Sequence, residues 1–153
     1  LLDQIQDPHN LGAILRSAEC AGVQGVILTK HKASGVTPTA IKVAAGATSY
    51  LPVCRVTNLA TAIDDLKEAG IWIAGTSDRA TQSYTEIDLT VPIAIVIGNE
   101  EKGIRRRIAE KCDLLVSIPL HGKISSLNAS VATGILLFEV CRQRSSPRDE
   151  SHG

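Results

Sequence analysis

Short apolar runs alternate along the whole chain with stretches in which apolar residues recur at helical spacing. Leu1 to Ile5 reads as a strand, and Leu11, Ile14, Leu15 and Ala18 then mark one face of a helix. Asn10 stands where that helix needs an N-cap, and Gly22 where it needs a left-handed stop. Val23 to Leu28 is a second strand, Pro38 to Ala45 a helix opened by proline, and Leu51 to Val56 a third strand. Asn58 caps a helix that runs to Ala69 and closes at Gly70. Ile71 to Ala74 is a buried strand, a polar loop continues through Asp88, and Ile93 to Ile97 is the most β-like run. A helix from about Ile104 to Lys111, a strand from Leu114 to Ile118 and a last helix from near Asn128 to about Arg142 complete the pattern. Strands alternating with helices predict an α/β domain, a mostly parallel sheet with helices on both faces.

Composition narrows this picture. A chain of 153 residues fits one domain with a core large enough to fold unaided. With one Phe, two Tyr and one Trp, the core must come from Val, Ile, Leu and Ala, the usual filling of a covered parallel sheet. No apolar run approaches the length of a membrane span. The cysteines Cys20, Cys54, Cys112 and Cys141 lie far apart, which fits reduced thiols and a cytoplasmic protein better than a zinc site or a disulfide framework, and no metal is expected. The chain opens on Leu1-Leu2, inside an apolar strand, so a further N-terminal portion is expected outside it. The polar run from Ser145 to Gly153 reads as a frayed tail, leaving residues 1–144 as the ordered domain.

The formal net charge is zero, so whole-molecule electrostatics give no sign of a nucleic-acid partner. A polyanion would have to meet a local patch. Arg105-Arg106-Arg107 with Lys111 is one candidate and Lys30, Lys32 and Lys42 another, although solvated helix and loop faces look the same.

Three strand-to-helix junctions carry the candidate chemistry: Asp7-Pro8-His9-Asn10-Leu11-Gly12 with Arg16, Gly98-Asn99-Glu100-Glu101-Lys102-Gly103, and Ser125-Ser126-Leu127-Asn128-Ala129-Ser130. Such junctions are where an α/β sheet offers backbone N–H groups and short side chains to a ligand. The second is no Walker A loop, because Ile104 and Arg105 follow its second glycine, and the dinucleotide fingerprint is missing too. Glu100 and Glu101 would repel a pyrophosphate. In the first, Arg16 borders the apolar stripe, which suits either a directed guanidinium or a solvated one. In the third, the short polar side chains suit either helix capping or a ribose and a cofactor carboxylate, with the Pro119-Leu120-His121-Gly122 turn nearby.

In their order and spacing these segments resemble the SpoU (TrmH-type) RNA 2′-O-ribose methyltransferases of the SPOUT superfamily, over about Asp7 to Arg144. The second motif extends that likeness from Ile95-Val96-Ile97-Gly98-Asn99-Glu100 to Leu115-Val116-Ser117-Ile118-Pro119-Leu120. The resemblance implies a C-terminal deep trefoil knot, which strand periodicity does not reveal. It implies S-adenosyl-L-methionine as cofactor, framed by Gly98, Ile118 and Leu127, with Leu120, Gly75 and Thr76 alongside. It implies a homodimer packed through the knot helices, with Ile135, Leu136, Phe138 and Val140 as one apolar surface. By the same resemblance Arg16 activates the 2′-hydroxyl, and Asn10, Glu100, Ser126 and Asn128 orient the groups around it. The substrate implied is RNA. Val56-Thr57-Asn58-Leu59-Ala60, Ile71-Trp72-Ile73 and Cys141-Arg142-Gln143-Arg144-Ser145 look most like the branch that methylates a guanosine of 23S rRNA, whose members carry an additional N-terminal RNA-binding domain. Transfer RNA is the alternative substrate, since the shared motifs serve both.

Two readings of other classes compete. A non-catalytic RNA-binding or dimerisation module would not need Asn10, Arg16, Glu100 and Asn128 in one chain. An NAD-type oxidoreductase lacks its glycine fingerprint here.

Overall fold

The computed structural model describes residues 1–145. Among them, six parallel strands form one sheet in the order β3-β2-β1-β5-β4-β6. The strands are β1 (Leu2–Asp3), β2 (Val26–Thr29), β3 (Val53–Val56), β4 (Trp72–Thr76), β5 (Ile93–Gly98) and β6 (Leu114–Val116). The helices are α1 (Pro8–Cys20), α2 (Pro38–Ala44), α3 (Leu59–Glu68), α4 (Arg106–Lys111) and α5 (Ala129–Ser145), with a short 3₁₀ turn at Ala47–Ser49 that periodicity did not anticipate.

Successive side chains of a strand point to opposite faces, and the core divides accordingly. Leu2, Val26, Leu28 and Ile97 meet Leu11, Ile14 and Leu15 of α1, Ala40 and Ala44 of α2 and Leu136 of α5. Their neighbours Leu1, Ile27 and Val96, with Ile73 of β4, meet Leu59 and Ile63 of α3 and Ile108 of α4. The expected α/β sheet covered on both faces is therefore the observed one.

Local signals set several element ends. Gly22 and Gly70 have φ of +74° and +84° just past α1 and α3. Asn58 Oδ1 accepts from the backbone N–H groups of Ala60 and Thr61 at 3.0 and 3.3 Å, capping α3 as its sequence position implies.

Three details depart from expectation. Asp7, not Asn10, caps α1, accepting from His9 N–H at 2.8 Å, because Pro8 occupies the first helical position. β1 stops at Asp3 because Gln4 turns into the left-handed region with φ +62°. α5 runs through Arg144 and Ser145, held by Arg144 hydrogen bonds to the carbonyls of Leu89 and Val91 at 3.2 and 2.9 Å. The rest of the tail, residues 146–153, lies outside the described residues. All four cysteines are free. No helix among the described residues is long and apolar enough to cross a membrane.

Candidate active site

β1 and β5 lie side by side, so the loops leaving their C-terminal ends are neighbours, and side chains stitch them together. Beyond Gly98 the chain folds back within five residues: Asn99 and Gly103 exchange backbone hydrogen bonds at 3.1 and 3.0 Å. The Asn99 carboxamide fixes this turn from both ends, accepting from Glu101 and Lys102 N–H and donating to Gln4 O at 2.8 Å. Glu100 reaches across to the β1–α1 loop, where its carboxylate accepts from the N–H groups of Gln6 and Asp7 at 3.0 and 2.9 Å. The first and second motifs thus form one unit, and Glu100 holds the residue that caps α1.

The interior of this unit contains a charge. Asp3 is fully buried, and its carboxylate accepts from Arg105 backbone N–H at 2.9 Å and from Arg105 Nε and an Nη at 2.8 Å each. A buried carboxylate is tolerated when it is paired and hydrogen-bonded in this way. Asp3, Asn99 and the pairing role of Arg105 escaped the sequence reading. One signal was available for Asp3, an acid inside the otherwise apolar run Leu1-Leu2-Asp3.

Gly98 is buried, and a Cβ there would lie 2.2 Å from both Gly103 C and Ile104 N. Only glycine lets the returning loop close over β5. At Gly75 a Cβ would meet Cys112 Sγ and Leu115 Cδ2 at 2.8 Å, so packing between β4, α4 and β6 already accounts for that glycine. Thr76 donates its hydroxyl to Val96 O at 3.1 Å across the β4–β5 pair. The Cys112 thiol beside Gly75 is pushed up to about 11, chiefly by burial.

The segment after β6 supplies the remaining residues. Ser117 is anchored through Gln82 and Tyr84, donating to Gln82 O at 2.9 Å and accepting from Tyr84 N–H at 3.0 Å. Ile118 is half-buried against the core, whereas Leu120, Ile124 and Leu127 are exposed. Asn128 Oδ1 accepts from Ser130 N–H at 2.9 Å and from the Ser130 hydroxyl, which makes Asn128 the cap of α5. Ser126 is exposed one turn ahead of the helix.

Asn10 and Arg16 part company on α1. Asn10 is buried in its first turn, and Arg16 is exposed. Six residues advance a helix by about 9 Å and rotate it by roughly 240°, so the two side chains leave on different faces. Arg16 makes no ion pair or hydrogen bond among the described residues. Within one chain, then, Glu100 and the first turn of α1 come together, while Arg16 projects outward.

The basic run after the second motif is already partly neutralised. Arg106 pairs with Glu110 at 3.0 Å and Lys111 with Asp64 at 2.8 Å. A cavity of about 1160 Å³, lined by Leu2, Val23, Val26, Pro52, Ile95 and Val140 among others, opens at the opposite edge of the sheet, where the strands begin. Ligands of open α/β sheets bind beyond the strands' C-terminal ends, so this apolar cavity is not the candidate active site.

Comparison with known proteins assigns the chain to a family. A family model described as the SpoU rRNA Methylase family matches residues 1–138. The 23S rRNA (guanosine-2'-O-)-methyltransferase RlmB of Coxiella burnetii is 54% identical over 96% of this chain and 59% of its own length. The crystal structure of the SpoU methyltransferase AviRb from Streptomyces viridochromogenes, in complex with AdoMet, superposes with a TM-score of 0.89 at 34% identity, over 96% of this chain and 57% of that one. The A. aeolicus TrmH/SpoU tRNA modifying enzyme gives a TM-score of 0.85 at 31% identity, over 94% and 73%. The chain spans about six-tenths of the length of the curated relatives it matches.

Proposed function

This chain belongs to the SpoU rRNA methylase family, and from that premise we propose that it forms the catalytic domain of an S-adenosyl-L-methionine-dependent RNA 2′-O-methyltransferase acting on a guanosine of 23S rRNA. The observation that carries the reading is the 54% identity to a 23S rRNA guanosine methyltransferase across nearly the whole chain. The tRNA reading draws its support from the TrmH/SpoU neighbour, whose substrate class is transfer RNA. The relatives' greater length favours sequence recognition by a part outside residues 1–144. Ribosomal RNA as substrate supports a cytoplasmic enzyme.

The residues present suit the cofactor. Ile118, Leu120 and Leu127 offer uncharged, apolar walls for an adenine, and the tight turn after Gly98 presents backbone rather than side chain. Bound there, S-adenosyl-L-methionine would supply an already electrophilic methyl group, which leaves the protein to position and activate an oxygen nucleophile. A guanidinium is a poor proton acceptor, so the part proposed for Arg16 is to stabilise the developing alkoxide and grip the neighbouring phosphate rather than to act as a base. Glu100 sets the start of α1, and through it the direction of Arg16. Asn10, Ser126 and Asn128 would orient ribose and cofactor.

The outward direction of Arg16 favours a site completed between two copies. Val131 and Phe138 on α5 are each about half exposed, and α5 packs beside α1, which supports a homodimer built on these two helices. The return of α5 from the β6 edge to α1 supports the threaded, knotted C-terminal arrangement.

Arg16→Ala and Arg16→Lys test the assignment, with methyl transfer into RNA and calorimetric titration of the methyl donor as paired readouts. Transfer should fall at least about a hundredfold with donor affinity kept, the usual scale for losing one charge-stabilising group. Wild-type transfer by both variants would remove Arg16 from the mechanism, and a parent chain that binds no methyl donor would refute the methyltransferase reading itself.

A further inference from the structure

On the ligand side of the sheet, Thr57, Asn58 and Leu59 after β3 face Arg105, Arg107 and Ile108 across a cavity of about 180 Å³. Two arginines line it, and their surroundings differ from those of the neighbouring cations. Arg106 and Lys111 each hold a carboxylate, Glu110 and Asp64. Arg107 has no carboxylate within ion-pair distance among the described residues. Its only side-chain hydrogen bond among the described residues is a long 3.4 Å one from an Nη to Asn58 Oδ1, an atom already occupied in capping α3.

Arg105 is placed differently. Asp3 holds one edge of its guanidinium through Nε and an Nη, yet the side chain remains 43% exposed. An arginine carries five N–H donors, so the clamp leaves hydrogens on the outer edge uncommitted. Asp3 also freezes the rotamer, which removes most of the entropy cost of ordering that outer edge on a ligand. The acid that fixes Arg105 is itself wholly buried, so it presents no negative face to the cavity.

We propose that this cavity is a phosphate-binding subsite, in which Arg105 and Arg107 together hold a phosphodiester of the RNA substrate. Arginine's planar fork matches phosphate oxygens, and two forks facing one small polar space exceed the single carboxylate available to balance them. The subsite rests on the reading of the chain as an RNA-modifying enzyme and adds to it a place where the strand is gripped, separate from Arg16. Asn58 gives the cavity a rigid floor, because its side chain is locked by the helix it caps. A phosphate contact of this kind fixes register and carries no base preference.

Arg107→Gln is the test variant and Arg106→Gln its control, since each removes one exposed charge from the first turn of α4 and only Arg107 lines the cavity. Binding of a fluorescein-labelled structured RNA hairpin is followed by anisotropy from low to moderate salt, alongside calorimetric titration of the methyl donor. Arg107→Gln should weaken RNA binding about tenfold at ~0.1 M salt and lower the slope of log K against log salt by about 1, with donor affinity unchanged. Arg106→Gln should do clearly less. Equal losses in the two variants would make the effect a general one of net charge and overturn the subsite. Inorganic phosphate that shifts the Arg107 Nε–H NMR resonance, in a protein whose RNA affinity is indifferent to Arg107→Gln, would make the cavity a free-anion site and overturn the RNA assignment. A parent chain with no RNA affinity at all would overturn the subsite, whereas one that binds no methyl donor would refute the enzyme reading on which the subsite rests.

Discussion

Asp3 is fully buried, and three N–H groups of Arg105 hold its carboxylate, the backbone N–H at 2.9 Å and the side-chain Nε and an Nη at 2.8 Å each. Removing the guanidinium leaves that carboxylate enclosed with one backbone N–H of Arg105 as its partner. Stranding a buried charge in this way costs about 3–5 kcal/mol. The Arg105 side chain is itself 43% exposed, and water entering the vacated space lowers the expected loss to about 2–3 kcal/mol. Arg105→Ala and Asp3→Asn, singly and together, form a double-mutant cycle read by urea unfolding. Arg105→Ala should be less stable than the parent by about 2–3 kcal/mol. Asp3→Asn deletes the charge that needs the partner, so adding it to Arg105→Ala should recover most of that loss. An Arg105→Ala chain as stable as the parent, or a double variant no more stable than Arg105→Ala alone, would refute the clamp as the means by which this carboxylate is kept inside the sheet.

Two further outcomes follow from packing. Gly98→Ala sets a methyl 2.2 Å from two backbone atoms, so the turn over β5 must move; unfolding should be easier by about 1–3 kcal/mol or more and methyl-donor titration should lose its heat, whereas parent-like behaviour in both would dissociate this glycine from the site. At pH 8, iodoacetamide should label the exposed Cys20 and Cys54 well before Cys112, whose thiol at about 11 in place of 9.0 holds roughly a hundredfold less thiolate; peptide mass spectrometry at timed intervals would expose the contrary order.

Much of this architecture was legible because its punctuation is local. Asn58, Gly22 and Gly70 act within one turn of their own positions, and the apolar spacing on α1 and α3 matches the faces they bury. The cap of α1 was legible too, but from Pro8 rather than Asn10: a proline prefers the first helical position, which makes the preceding residue the cap. Strand extent was less accessible. Nothing in Gln4 announces a left-handed backbone, so β1 was read past its end to Ile5. Strand order was inaccessible, because the insertion of β5 between β1 and β4 depends on contacts between distant segments. For the same reason Asp3 looked like a loose end of a strand, although its partner Arg105 lies 102 positions away. The i,i+4 pair of Arg106 with Glu110 could have been anticipated, and it divides a basic run that reads as uniform. Of the proposed site, Glu100 and the first turn of α1 converge as their motifs suggested, while Arg16 leaves on another face of the same helix.

The central place of β1 has a consequence for how the chain reaches this state. Its first edge is soon satisfied by β2, but the other must wait for β5, whose Ile95 lies 94 positions further on. During synthesis β1 therefore spends seconds with one side unpaired, while the ribosome adds residues at about 5–20 per second. Such a high contact order predicts slow folding, and an open apolar edge in that interval invites association between nascent chains.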